Sequence, residues 1–123
     1  GYFVGPTILD KVNPGSRVAH DEIFGPVLSI IRVKDSKEAL EVISKSDYGN
    51  AASIFTRSGG AAREFTQNVT AGMIGINVGV PAPVAFFSFS GWKGSFFGDL
   101  HALGKDAVHF YTDQRVVTCR WPE

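Results

Sequence analysis

Between Val27 and Val78 the apolar residues switch back and forth between two spacings, and that alternation constrains the fold more than any other feature of the chain. Val27-Leu28-Ser29-Ile30-Ile31-Arg32-Val33 is a nearly continuous β-branched run, the pattern of a strand covered on both faces. Asp35 then stands three residues before Glu38, a start resembling a capping box, and Ala39, Leu40, Val42 and Ile43 mark one face of a short helix. That helix is expected to stop near Ser46, ahead of Tyr48-Gly49-Asn50. Ala51–Thr56 reads as a second buried strand. Ser58 can cap a second helix, whose Ala61, Ala62, Phe65 and Val69 recur at helical spacing. Met73–Val78 reads as a third strand. Strands alternating with helices through short connections argue an α/β fold, with a parallel βαβαβ layer over residues 27–78.

The flanks are less regular. Tyr2-Phe3-Val4 and Thr7-Ile8-Leu9 are β-prone runs split by Gly5-Pro6, and Asn13-Pro14-Gly15-Ser16 marks a loop. From Gly79 to Gly98 the pattern dissolves: Pro81 and Pro83 forbid a regular helix, and Gly91, Gly94 and Gly98 punctuate the stretch. Phe86, Phe87, Phe89, Phe96 and Phe97 place half of the ten Phe residues there, and a loop that long is expected to be functional or packed under something else. Leu100–Tyr111 can be helical, with Gly104 interrupting it. Arg115–Trp121 alternates like a strand, Pro122 ends it, and Arg115 and Arg120 flank it as on an edge strand that needs a partner.

Composition narrows the class of protein. The 123 residues suffice for one domain and not for two. With 12 basic and 12 acidic residues the formal net charge is +0, which removes the electrostatic reason to expect nucleic acid or an anionic membrane as partner. Ten Phe and 20% charged residues do not suit a disordered chain. One Cys excludes a disulfide framework and suits a reducing compartment. The longest apolar stretch, Val78–Phe87, is too short and too rich in Pro to span a bilayer, and no signal-peptide pattern opens the chain. The chain starts with Gly1 inside what reads as an element, so it is expected to be part of something larger.

At His20-Asp21-Glu22-Ile23-Phe24-Gly25-Pro26-Val27 the chain resembles a known family. Glu22–Val27 is similar to the E-I-F-G-P-V signature of the aldehyde dehydrogenase superfamily, and Tyr48-Gly49-Asn50, Ile54-Phe55-Thr56 and Gly75-Ile76-Asn77-Val78 follow in the expected order. Phe87-Ser88-Phe89-Ser90-Gly91-Trp92-Lys93-Gly94-Ser95, then Phe97-Gly98-Asp99, Gly104-Lys105 and Phe110-Tyr111-Thr112, resemble the methylmalonate-semialdehyde branch of that superfamily. The resemblance covers essentially the whole chain and corresponds to roughly the last quarter of a member of typical length. It implies a single partial domain over residues 1–123, from the catalytic-domain half of the fold. Residues 27–78 would be its βαβαβ core, 79–98 an active-site-type loop, and 115–121 a strand for subunit association.

The resemblance also assigns roles. Glu22 would hold the hydroxyls of the nicotinamide ribose of NAD; an ionised carboxylate has two acceptor oxygens and can grip a vicinal diol through charge-assisted hydrogen bonds. Phe24 would be an apolar wall beside the nicotinamide. Asn77, Pro81, Pro83 and Phe89 would line the substrate tunnel. Each role has a plainer counterpart: Glu22 solvated in a loop, Asn77 satisfying loop backbone by its own hydrogen bonds, and the Phe residues forming ordinary core. Gly25-Pro26 needs no role beyond a sharp entry into the strand. Lys93 is either a surface lysine or a partner for a carboxylate or a coenzyme A phosphate. Cys119 does not sit in a nucleophile motif and is expected to be a packed, inert thiol. His20, His101 and His109 lack metal-ligand spacing, so no metal site is expected.

For the whole enzyme the resemblance implies NAD-dependent, coenzyme-A-acylating oxidation of malonate or methylmalonate semialdehyde. A Cys thiolate would attack the aldehyde, hydride would leave to NAD, and coenzyme A would take the acyl group. The nucleophile, the Gly-rich dinucleotide segment and the Arg residues expected to read a substrate carboxylate are not seen in this chain, so alone it is expected to be silent. Its expected partners are the remainder of the parent dehydrogenase and a second subunit joined through Arg115–Trp121. The expected location is the cytoplasm, or the mitochondrial matrix in a eukaryote. Two alternatives stay open: an association module acting through the terminal strand, and an inert truncated polypeptide.

Overall fold

The computed structural model describes all 123 residues. In chain order the elements are β1 (Thr7–Leu9), α1 (Arg17–His20), β2 (Val27–Ser29), α2 (Ser36–Ser44), β3 (Tyr48–Gly49), β4 (Ala51–Ile54), α3 (Gly59–Asn68), β5 (Met73–Ile76), β6 (Trp92–Lys93), a 3-10 turn at Gly104–Asp106, and α4 (Ala107–Tyr111).

The helix starts form as their sequences dictate. The Asp35 side chain accepts the Glu38 amide at 2.9 Å, and the Glu38 carboxylate accepts the Lys34 amide at 2.8 Å, a reciprocal cap displaced by one residue from the usual box. Ser58 caps α3 by accepting the Ala61 amide at 3.2 Å. The core sits where the two helices meet the β4–β5 pair. Phe65, Val69 and Ala71 are buried there, with Leu40 and Ile43 of α2 and Ala52, Ile54 and Ile74 of the strands packed against them.

The α/β class and the parallel pairing hold, and β4–α3–β5 is a parallel unit in register from Ala51 opposite Met73 to Ile54 opposite Ile76. The ladder is divided, however. β2 pairs in parallel with β1 and not with β4, and a third pair, β3 with β6, is antiparallel. The long apolar run after Val27 is a strand only to Ser29, and Leu28 stays exposed. That run is coded for cover on both faces, and this chain does not supply the cover. Beyond β2, Arg32 makes a two-bond fork with Asp10 at 2.8 and 2.9 Å, which ties the two chain exits together and holds the Asp10 carboxyl below its usual range.

Two further expectations need correction. Tyr2–Val4 is not a strand, and all three residues are exposed. Arg115–Trp121, expected to be an edge strand in need of a partner, meets none within this chain, and no residue after Tyr111 belongs to a helix or strand; an alternating segment without a neighbouring edge has nothing to bond. The stretch from 79 to 98 is not purely loop, because Trp92-Lys93 adds to Tyr48-Gly49. Close backbone contact brings it there. A Cβ on Gly72 would lie 2.6 Å from the Gly91 Cα, and one on Gly49 would lie 2.6 Å from the Thr70 carbonyl oxygen, so only glycine fits at either place.

Candidate functional site

Glu22 is carried on a short tether between two anchored points. On one side Asp21 ends α1 and is held by Arg17 at 2.7 and 2.9 Å. On the other, the Pro26 carbonyl accepts the Thr7 amide at 2.8 Å and sets the register of β1 against β2. Between them the chain turns sharply: Phe24 lies at φ 55°, a left-handed conformation rarely adopted by an aromatic residue, and the Val27 amide closes onto the Gly25 carbonyl at 2.8 Å. The Glu22 carboxylate makes no hydrogen bond or ion pair with the rest of the chain.

The carboxylate borders a cleft of about 520 Å³ lined by Glu22, Tyr48, Asn50, Phe89 and Ser95 together with His20, Asp21 and Gly94. The far wall is built by the β3–β6 pair. Ser95 accepts the Gly49 amide at 3.1 Å, and the Gly94 amide donates to the Asp47 carbonyl at 2.9 Å, pressing the glycine-containing turn onto the start of β3. The Lys93 ammonium, at φ 54°, donates to the Ser44 and Ser46 carbonyls at 2.9 and 2.8 Å. Lys93 is therefore neither loose on the surface nor pointed at an anion: it caps the carbonyl end of α2.

The residues singled out from sequence separate in space. Glu22 and Phe89 share the cleft. Phe24 does not; the residue is 93% exposed. Asn77, at φ 57°, commits both ends of its amide to Thr56, accepting the backbone N–H at 2.9 Å and donating to the carbonyl at 3.1 Å. Pro81 is half-buried over Gly75, and Pro83 is half-buried beyond it. Reading the Phe-rich stretch as ordinary core fails within this chain, since Phe86, Phe87, Phe89 and Phe97 are all exposed. Cys119 is exposed rather than packed, because its segment has no neighbour. Tyr48, Asn50 and Ser95 were missed as cleft residues. Tyr48 and Asn50 carried a signal only as neighbours of an element, and Ser95 only through the β3–β6 pairing, which two-residue strands do not announce. His, Cys, Asp and Glu side chains nowhere gather in threes as a metal ligand set, and no helix is long and apolar enough to cross a membrane.

The profile of the aldehyde dehydrogenase family matches residues 1–117. The chain belongs to the aldehyde dehydrogenase family. It is 61% identical over 122 residues to the malonate-semialdehyde dehydrogenase of Bacillus subtilis strain 168, covering 99% of this chain and 25% of that protein. A malonate-semialdehyde dehydrogenase of Geobacillus kaustophilus is 57% identical, with 98% and 25% covered. Among solved structures, the methylmalonate-semialdehyde dehydrogenase of Oceanimonas doudoroffii superposes with a TM-score of 0.91 at 53% identity, covering 100% of this chain and 25% of that one. A methylmalonate-semialdehyde dehydrogenase of Sinorhizobium meliloti, solved as a complex with NAD, gives 0.88 at 46% identity, with 94% and 24% covered. This aldehyde dehydrogenase segment thus spans about a quarter of the length of the relatives it matches.

Proposed function

We propose that the chain is the C-terminal part of an NAD-dependent, coenzyme-A-acylating dehydrogenase of malonate or methylmalonate semialdehyde, and that it supplies one wall of the cofactor site. The observation that carries this reading is the unpaired Glu22 carboxylate at a cleft with aromatic and amide walls. Two acceptor oxygens with no partner in the chain suit the two hydroxyls of a ribose. The cleft volume lies in the range of small-ligand sites and suits the nicotinamide–ribose end of the cofactor, with Tyr48 and Phe89 as flat faces. When bound, NAD accepts hydride. Glu22 fixes the sugar, and through it the ring, so that the reacting carbon is placed before the chemistry begins. Phe24, exposed and held in a strained turn, is free to cover a surface supplied by the rest of the enzyme. In this reading coenzyme A is the acyl acceptor.

A second surface favours association. Val116, Val117 and Trp121 are more than three-quarters exposed in a segment without ladder partners, the condition of a strand awaiting another sheet's edge. In this reading Arg115–Trp121 joins a second subunit.

The carboxylate is tested by Glu22→Gln in the complete dehydrogenase, which keeps the shape and removes the charge. The expected result is a fivefold to thirtyfold loss in kcat/KM for NAD, equivalent to about 1–2 kcal/mol for a charge-assisted hydrogen bond. Unchanged NAD kinetics would return Glu22 to a solvated loop.

A further inference from the structure

A side-chain network outside the cleft holds one of its walls. Ser88 and Ser90 flank Phe89, and both are gripped from the segment that leads into α4. The Ser88 hydroxyl donates to the Asp106 carboxylate. His101 Nε2 lies 3.2 Å from the Ser90 Oγ, and His101 Nδ1 lies 3.6 Å from the same Asp106 oxygen that Ser88 uses. The imidazole is stacked on Phe96, with centroids 4.7 Å apart, which fixes its plane. Backbone contacts reinforce the grip. The Gly104 amide donates to the Ala85 carbonyl at 3.2 Å, and Gly104, at φ 66°, lies so close that a Cβ there would be 2.9 Å from Phe87 and Ser88 backbone atoms.

Ser90, His101 and Asp106 fall in the order of a nucleophilic triad, and the geometry argues against that use. The Asp106 oxygen is shared with Ser88, and its 3.6 Å separation from Nδ1 is too long for an orienting hydrogen bond. The adjoining cavity is lined by Ala85, Phe86, Phe87, Ser88, Gly104 and Lys105, so Ser90 does not face it. What the network does touch is the pair of serine hydroxyls on either side of Phe89, and Phe89 lines the Glu22 cleft.

We propose that Asp106 and His101 are positioning residues that hold Phe89 against the group bound at Glu22, and so tune affinity for the nicotinamide cofactor from outside its site. This rests on the reading of the cleft given above. Neither residue touches the cofactor; each acts through a serine beside Phe89.

The test uses the complete dehydrogenase and compares Asp106→Ala, His101→Ala, Asp106→Asn and Ser88→Ala, with Glu22→Gln as the reference for the cleft itself. Asp106→Ala and His101→Ala are each expected to raise the KM for NAD fivefold to tenfold while kcat and the KM for malonate semialdehyde stay within twofold. Asp106→Asn retains an acceptor for Ser88 and is expected to recover most of that loss. If Asp106→Ala does not fold, Ser88→Ala removes a single hydroxyl and is expected to raise the KM for NAD about threefold. An unchanged KM for NAD in these variants, or a rise matched by the semialdehyde, overturns the proposal as long as Glu22→Gln weakens NAD. If Glu22→Gln also leaves NAD kinetics untouched, the cleft reading falls first and the positioning role falls with it.

Discussion

A left-handed residue other than glycine needs something to hold it, and Asn77 carries its own clasp. Its backbone N–H continues the β4–β5 ladder by donating to the Ile54 carbonyl at 2.8 Å, while its side chain brackets Thr56 from both sides. The amide imitates one more rung of a sheet at the point where the backbone turns away. Asn tolerates this conformation better than most residues, so φ 57° and the clasp support each other. Asn77→Ala loses the clasp and keeps the strain, whereas Asn77→Gly loses only the clasp. The alanine variant is expected to lower the free energy of local opening at the Thr56 amide by about 2 kcal/mol and the glycine variant by about 1 kcal/mol. Native-state hydrogen exchange of the complete dehydrogenase measures both, and equal effects would mean that the backbone conformation contributes nothing.

Lys93 acts at the scale of elements. It lies at the end of β6, yet its ammonium completes the carbonyl end of α2, so a residue from the glycine-containing turn locks together a helix and a strand nearly fifty positions upstream. Lys93→Met keeps the apolar stem and removes the charge. The expected cost is about 0.5–1 kcal/mol, as for a cation at a helix C-terminus, seen as faster exchange at the end of α2 and in the turn at Gly94 and Ser95. Faster exchange at α2 alone would mean that the turn is held by β3 and not by the cap. Both long helices, their caps at Asp35 and Ser58, and the apolar face at Phe65 and Val69 were legible in the sequence, because local hydrogen bonding and helical spacing decide them. The pairing of β2 with β1, the two-residue strands and the cap by Lys93 were not, because each depends on contacts between distant parts of the chain. At the site, the signature pointed to the turn bearing Glu22, while the opposite wall of Tyr48, Asn50 and Ser95 emerged only from the β3–β6 pairing.

The whole molecule is short of interior. The chain exposes 10292 Å² of surface, whereas a compact monomer of its mass exposes roughly 6,500 Å². Phe97 and Trp121 are 95% and 86% exposed, and the apolar run after Val27 lies half uncovered. Apolar area left in water contributes nothing toward the entropy of ordering the backbone, which costs about 1–2 kcal/mol per residue. The missing cover must come from other polypeptide, as the coverage of 25% of the Bacillus subtilis relative suggests. On its own, the chain is therefore expected to lack the cooperative melt of an autonomous domain. Its heat-capacity increment in calorimetry should fall well under the ~12–15 cal/mol/K per residue of globular proteins, and it should bind an apolar dye strongly. It should reduce no NAD with malonate semialdehyde and coenzyme A until the upstream part of the dehydrogenase is supplied. A sharp two-state transition with the full increment would show that the interior is sufficient after all. In that event Arg115–Trp121, still exposed on a stable body, would become the chain's principal functional surface, and removal of residues 115–123 should then abolish self-association without moving the melt.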